Sequence, residues 1–396
     1  ETTVEPFIKN DYFIASYING EWSDSIPGKN DGYEVDKVVC DNGATGTWDI
    51  TDWGINIRNA TKKTKCSVYF KQIYMDNVIA EAPELAQGMI PVKFDSSGNV
   101  VVADTATKWY DYKAHEWANA VLVNCADLSI KSKYFDSNNN VLASAVGKTI
   151  SMDEIMQMYV YIPRYKYQLF NAEDGTSVEQ AINITFESKT TAKSTGTKNG
   201  EWLTHPAFTF GDKELAGIWV GKFETSNTKE LPKIVPNASS LNNMSISAQF
   251  NTSRLMTTTL ASTYGTSTND DSHMMKNMEW GAVAYLSSSI YGRYANASTC
   301  IASGCEVWKN NNKKLTTGCA GASVSASASS TCNAWNTATG VNAWYQDYSY
   351  SVYSTGSWVY RGGYYYDNYN AGVFSFLSDS GDNGSYYSFR VVLGVL

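Results

Sequence analysis

Clustered positive charge is missing from this chain: 31 Lys and Arg face 39 Asp and Glu, for a formal charge of −8, and the cations form no run. A surface that tracks phosphates needs grouped Lys and Arg, so nucleic acid is not an expected partner. Charge of either sign is scarce at 18%, against 43% hydrophobic residues, which describes a globular chain with a weakly charged surface. Long apolar stretches are missing too, and nothing approaches the roughly 18 consecutive apolar residues of a membrane-crossing helix. The first residues lack a charged-then-apolar leader and begin at Glu1 rather than Met, so the expectation is a chain that follows a removed segment and does not itself insert into a membrane.

Histidine is rare, with only His115, His205 and His273, which lie far apart and have no companion motif. His205 stands in Thr-His-Pro-Ala-Phe, where His-Pro ahead of an apolar run reads as a turn. No nucleophile-elbow, zinc-protease, phosphate-loop or dinucleotide-loop pattern occurs, so no enzyme activity is expected. The seven cysteines allow three local pairs, Cys40 with Cys66, Cys300 with Cys305 and Cys319 with Cys332, leaving Cys125 single. Disulfides there would mark an oxidising, extracellular setting. Free thiols and a zinc site are the alternatives, and zinc is disfavoured because the last four cysteines offer no two-residue knuckle.

What is present suggests two units, as expected for 396 residues. Residues 1–87 alternate short β-favouring runs with Asn-Gly and Asp-Asn-Gly turns, the pattern of antiparallel hairpins in a small all-β sandwich. A Cys40–Cys66 bridge would tie its third strand to its last. The segment around Pro83 and Gly88 reads as a linker, followed by a mixed unit over 88–396. There, residues 90–104 form one hairpin with a Ser-Ser-Gly-Asn turn, and 133–145 resemble another. Ser151 and Glu154 resemble a capping box, predicting a short helix ahead of a strand over 158–170. A second helix is expected within 239–260. A third, over 275–289, sets Met278, Ala282, Tyr285 and Leu286 at helical spacing. Residues 316–340, almost all Ser, Ala, Thr, Gly and Asn, read as a long loop.

Residues 344–390 stand out: 47 positions hold 16 aromatics, 11 of them Tyr, and no Lys follows Lys314. Tyr offers wide, stiff, amphipathic contact area at low entropic cost, and Ser, Gly and Asn add adaptable hydrogen bonding, the mixture used by binding loops. Consecutive tyrosines, as in Gly-Gly-Tyr-Tyr-Tyr, cannot all face one side of a strand, so some must face solvent. Asp379, Asp382 and Asn383 could supply oxygen ligands to a structural calcium ion, but without a downstream bidentate Glu the stretch reads better as a solvated turn. No cofactor is otherwise called for.

Three runs in the carboxy-terminal third, Asn277–Leu286, Ser357–Gly363 and Asn370–Phe376, together with the closing Ser-Phe-Arg-Val-Val-Leu, resemble the formylglycine-generating-enzyme-like branch of the C-type lectin fold. The chain is particularly similar there to the variable proteins of diversity-generating retroelements and to related modules of gut Firmicutes and their phages. The resemblance extends from about residue 89 to the end; the first 87 residues have no match. It implies a C-type-lectin-like domain with insertions, of α+β class. Formylglycine-generating enzymes place a cysteine pair near the C-terminal strands, whereas the last cysteine here is Cys332, so the oxidase chemistry does not carry over. The retroelement proteins vary Tyr, Asn, Asp and Ser at displayed sites. By that resemblance the ligand-contacting candidates are Tyr345, Tyr348, Tyr350, Tyr353, Tyr364, Tyr366, Asp367, Tyr369, Ser378, Asp382, Asn383, Ser385, Tyr386 and Tyr387. Trp358, Val373, Phe374, Phe376, Phe389, Val391 and Val392 are expected in the core, with Arg361 and Arg390 hydrogen-bonded to buried carbonyls or carboxylates. The expected function is that of an adhesin on a cell surface or virion, such as a phage receptor-binding protein, recognising a protein or glycan on a target cell. The alternative is a structural subunit of a filament or pilus-like appendage, with self-association into a fibre.

Overall fold

A computed structural model describes six N-terminal strands by their backbone and then residues 80–168, 182–194, 202–287, 289, 291–292, 358–362 and 372–396, with 168 and 372–378 as backbone alone. Two compact units result, Glu1–Ile79 with Glu179–Ala181, and Ala80–Val178 with Ile182–Leu396.

The described strands of the first unit are β1 (Ile8–Phe13), β2 (Trp22–Asp24), β3 (Tyr33–Cys40), β4 (Thr47–Thr51), β5 (Gly54–Arg58) and β6 (Lys65–Gln72). They pair into two three-stranded sheets, ordered β1-β6-β3 and β2-β5-β4. Both are antiparallel, and the β3–β6 register sets Cys40 directly opposite Cys66.

The second unit is α+β. It opens with β7 (Ile90–Phe94), β8 (Val100–Val102), β9 (Asn119–Val123), α1 (Leu128–Tyr134), β10 (Thr149–Ile150) and β11 (Ile155–Pro163). Short strands follow: β12 (Tyr165–Gln168), β13 (Asn183–Phe186), β14 (Leu203–Thr204), β15 (Thr209–Phe210) and β16 (Lys213–Glu214), then β17 (Gly217–Gly221), β18 (Ser226–Asn227) and β19 (Pro232–Lys233). The last part holds α2 (Ile246–Arg254), α3 (Ala261–Tyr264), β20 (Asp271–Met274), α4 (Asn277–Ser287), β21 (Trp358–Gly362), β22 (Gly372–Asp379) and β23 (Val391–Gly394). Among the described residues the principal sheet has eight strands, ordered β10-β8-β7-β9-β11-β17-β23-β20.

Both faces of that sheet are covered, and the alternation along its strands shows it. On β17, Ile218 and Val220 join one apolar cluster while Trp219 between them joins another; on β23, Val392 sides with the first pair and Val391 and Leu393 with Trp219. The first cluster receives Ala282, Tyr285 and Leu286 of α4, and the second receives Met244, Met256 and Tyr264 from the α2–α3 region. A third cluster on β7, β8 and β9 is closed by Tyr134 and Phe135 at the end of α1. This double coverage explains why β11 reads as a nearly unbroken apolar run: eight of its nine residues are buried. Burying each large side chain contributes about 1.5–3 kcal/mol.

Several expectations hold: the hairpin expected over 90–104 forms between β7 and β8, the helix within 239–260 is α2, capped by Ser245, and the helix expected over 275–289 is α4. Others need correction. Ser151–Glu154 is a turn, not a helix, because β11 already begins at Ile155 and leaves no residues for a second turn; Glu154 N–H donates to Ser151 O at 3.0 Å. The strand expected over 158–170 breaks at Arg164, where β12 leaves the main sheet for a three-stranded one with β13 and β14. The segment read as a linker is packed instead: Ala80 and Ala86 are buried, and Trp219 Nε1 donates to Glu84 O at 2.7 Å. Residues 316–340 and the cysteines from 300 to 332 lie outside the described residues. Among the described residues no helix is long and apolar enough to cross a membrane.

Candidate recognition surface

β21 and β22 form a two-stranded ribbon in the register Trp358–Asp379, Val359–Ser378, Tyr360–Leu377 and Arg361–Phe376. Val359 packs onto the cluster that holds α4. Gly362, at φ +86°, lets the ribbon close on the helix, since a Cβ there would lie 3.0 Å from Trp280 Cη2. Trp358 was expected in the core and is not there: it is 38% exposed. Among the described residues β21 pairs only with β22, and Trp358 stands at its start. Phe389, Val391 and Val392 are buried as expected. Val373, Phe374 and Phe376 lie on β22, their side chains outside the described part.

The loop from β22 to β23 is held at several points. Asp379 Oδ1 accepts from the N–H groups of Gly381 at 2.7 Å and Asp382 at 3.3 Å, and Ser380 Oγ donates to Asp382 Oδ2 at 2.7 Å. From the segment ahead of α2, Asn242 Nδ2 donates to Ser385 O at 2.9 Å and Asn243 N–H to Gly384 O at 3.0 Å. Tyr387 stacks on Tyr360 with ring centroids 3.8 Å apart. Burial pushes the Tyr360 phenol up, and the nearby Asp379 carboxylate adds to this. Asp379 and Asp382 thus serve the turn itself, and among the described residues no group of three His, Cys, Asp or Glu is gathered to hold a metal.

Of the ligand-contacting candidates, Asp382, Asn383, Ser385 and Tyr386 are exposed on this loop, and Tyr387 is half-buried against Tyr360. Ser378 lies on β22 opposite Val359. Tyr345, Tyr348, Tyr350, Tyr353, Tyr364, Tyr366, Asp367 and Tyr369 lie outside the described residues. Arg390 braces the loop's far end: its Nη1 donates to Gly221 O at 3.1 Å and Lys222 O at 2.9 Å, the buried-carbonyl role expected of it. Arg361 is half-buried on β21.

Two buried ionic clusters were not legible in the sequence. Arg164 is enclosed, with Nε donating to Glu187 at 2.9 Å and Nη1 to Glu214 at 2.6 Å. His273 lies between Asp271, 2.5 Å from Nδ1, and Glu279, 2.8 Å from Nε2. Burial alone would lower the His273 pKa, but the bonds to Asp271 and Glu279 carry it up to about 9. Only the period-2 spacing of Asp271 and His273 on one strand face hinted at this. His205 caps the Pro206–Phe208 turn, accepting the Ala207 N–H, and burial drops its pKa to about 3. His273 therefore has both ring nitrogens committed to carboxylates, and His205 is a neutral ring among Tyr165, Tyr167, Phe208 and Tyr285. Neither offers a free, solvent-facing base.

The chain matches no family model, no curated protein and no solved structure.

Proposed function

We propose that this chain is a recognition protein, acting without catalysis outside the cell on a surface or virion, whose second unit presents a binding surface from a C-type-lectin-like domain. The observation that carries the reading is the 380–387 loop. Its exposed Asp382, Asn383, Ser385 and Tyr386 stand on backbone fixed by Asp379, by Asn242 and Asn243, and by the Tyr360–Tyr387 stack. Fixing the backbone in advance removes part of the ordering cost of binding, which is how a small exposed surface reaches useful affinity. Support for a lectin-like arrangement is the chain order of α4, the β21–β22 ribbon and the inner strand β23, which carry the runs behind the resemblance. The partner on this reading is a protein or glycan of a target cell, and repetition along a fibre would raise a modest single-site affinity.

The test is a variant with Asp382→Ala, Asn383→Ala and Tyr386→Ser, compared with the unaltered chain for adhesion to a panel of cells. Asp382 gives up one solvent-exposed hydrogen bond, from Ser380, so the cost to stability stays small. Lost adhesion with an unchanged melting temperature supports the reading; unchanged adhesion to every cell type that the parent binds refutes it.

A further inference from the structure

Of the Asn-Gly pairs in the sequence, which begin at 19, 42, 199 and 383, the last lies among the described residues, in the loop that joins β22 to β23. Asn383 is exposed, and among the described residues neither its carboxamide nor the Gly384 N–H has a hydrogen-bond partner. The two groups that must meet for an asparagine to cyclise are therefore both free. Glycine is demanded at 384 by a neighbour: a Cβ there would come 2.3 Å from Cδ2 and 2.6 Å from Cε2 of Tyr387. That ring is stacked on Tyr360 and cannot make room without breaking the stack. The packing that anchors the loop thus requires the one residue type that leaves its own backbone nitrogen unshielded.

Other exposed asparagines lack this combination. The Asn242 carboxamide donates to Ser385 O at 2.9 Å, and that of Asn243 to Asn242 Oδ1 at 3.3 Å. Asn237 is exposed but is followed by Ala238, as Asn242 and Asn243 are followed by Asn243 and Met244. In each of these the next residue carries a Cβ beside the amide nitrogen.

We propose that Asn383 is a site of spontaneous deamidation and isomerisation, through which the 380–387 loop ages. The Gly384 nitrogen loses its proton to hydroxide and attacks Asn383 Cγ, closing a five-membered succinimide. The Cγ–Nδ2 bond breaks, and ammonia leaves with a proton taken from water. A water molecule then opens the ring at either carbonyl, giving aspartate or isoaspartate, with no oxidant or reductant involved. Aspartate sets a further carboxylate beside Asp382. Isoaspartate routes the backbone through the side-chain methylene and adds one bond of about 1.5 Å. The loop has no slack for it, because Asp379 holds the N–H groups of Gly381 and Asp382 on one side and Asn243 N–H holds Gly384 O on the other. The chemistry stands by itself, whereas its effect on adhesion rests on the recognition reading.

The full chain is incubated at neutral and at mildly acidic pH and digested with trypsin, and isoaspartate is located by methyltransferase labelling and fragmentation. Residues 362–390 and 234–254 fall in two separate peptides, the second holding Asn237, Asn242 and Asn243. Position 383 is expected to convert at least about tenfold faster than those three, a difference of about 1.4 kcal/mol in barrier. Conversion is expected to be slower in acid, and the label at 383 to be lost in Asn383→Gln. The modified and unmodified fractions of the aged protein, separated by ion exchange, are then compared for adhesion, and the modified fraction is expected to bind less. Conversion at 383 no faster than at the three other asparagines overturns the proposal. Conversion that leaves adhesion intact, while the triple loop variant described above loses it, removes the ageing of the surface and leaves the recognition reading standing. Adhesion indifferent to both the conversion and the loop variant removes the two together.

Discussion

Arg164→Met is the sharpest test of how the second unit is held together. The guanidinium is completely buried, and it bonds two carboxylates from different segments, Glu187, itself buried, and Glu214, which is partly exposed and also pairs with Lys193. Its Nη1 also reaches Phe208 O at 3.4 Å, and Thr204 Oγ1 donates to Glu187 at 2.9 Å. Arg164 thus fastens β13, β16 and the Pro206–Phe208 turn to the point where the chain leaves the main sheet. Removing it leaves Glu187 buried with one hydroxyl for company, and breaking such a pair from one side costs about 3–5 kcal/mol. At roughly 2–4 °C per kcal/mol for a domain of this order, the unit should melt roughly 6–20 °C lower. Replacing Glu187 by Met as well removes the stranded charge, so the double variant should recover most of the loss. The assay is a thermal melt followed by near-ultraviolet circular dichroism, with urea titration to confirm that the slope is unchanged. A single variant within about 1 kcal/mol of the parent, or a double variant no more stable than the single one, would refute the reasoning.

His273 gives a pH signature. Its folded pKa, about 9, lies above the unfolded value near 6.5. The stabilisation is therefore fully present below pH 6.5 and is lost as pH rises through 9. It is on the order of 3 kcal/mol and should vanish in His273→Gln, whose stability ought to be flat across that window when measured by urea unfolding at stepped pH. In the first unit, Cys40 and Cys66 stand opposite each other on antiparallel strands. Protein prepared under oxidising conditions should yield a single linked peptide pair for them on non-reducing digestion, and Cys66→Ser should cost about 3 kcal/mol of that unit's stability. Alkylation of both thiols in the native, unreduced protein would count against the bridge.

Much of the fold was legible because it depends on local rules. The 90–102 hairpin carries its own turn residues, α2 its Ser245 cap, and α4 its apolar spacing, and each forms where these signals lie. The capping-box reading of Ser151 failed through competition: a cap only matters if helix-forming residues follow, and Ile155 starts a strand that is buried on both faces. The ion clusters were invisible for a different reason. Arg164 meets Glu187 and Glu214 across 23 and 50 residues, and no periodicity announces such a pairing.

The surface itself divides along the same line. That consecutive tyrosines must part company follows from strand geometry, and at 386 and 387 they do: Tyr386 is 48% exposed, while Tyr387 turns inward to stack on Tyr360. Which of the two turns inward depends on the ribbon that brings Tyr360 beneath the loop, a contact between residues far apart in the chain. Trp358 was misplaced for the related reason that a frame resembling a family's final strands suggests an inner strand, whereas among the described residues the strand it begins has one partner, β22.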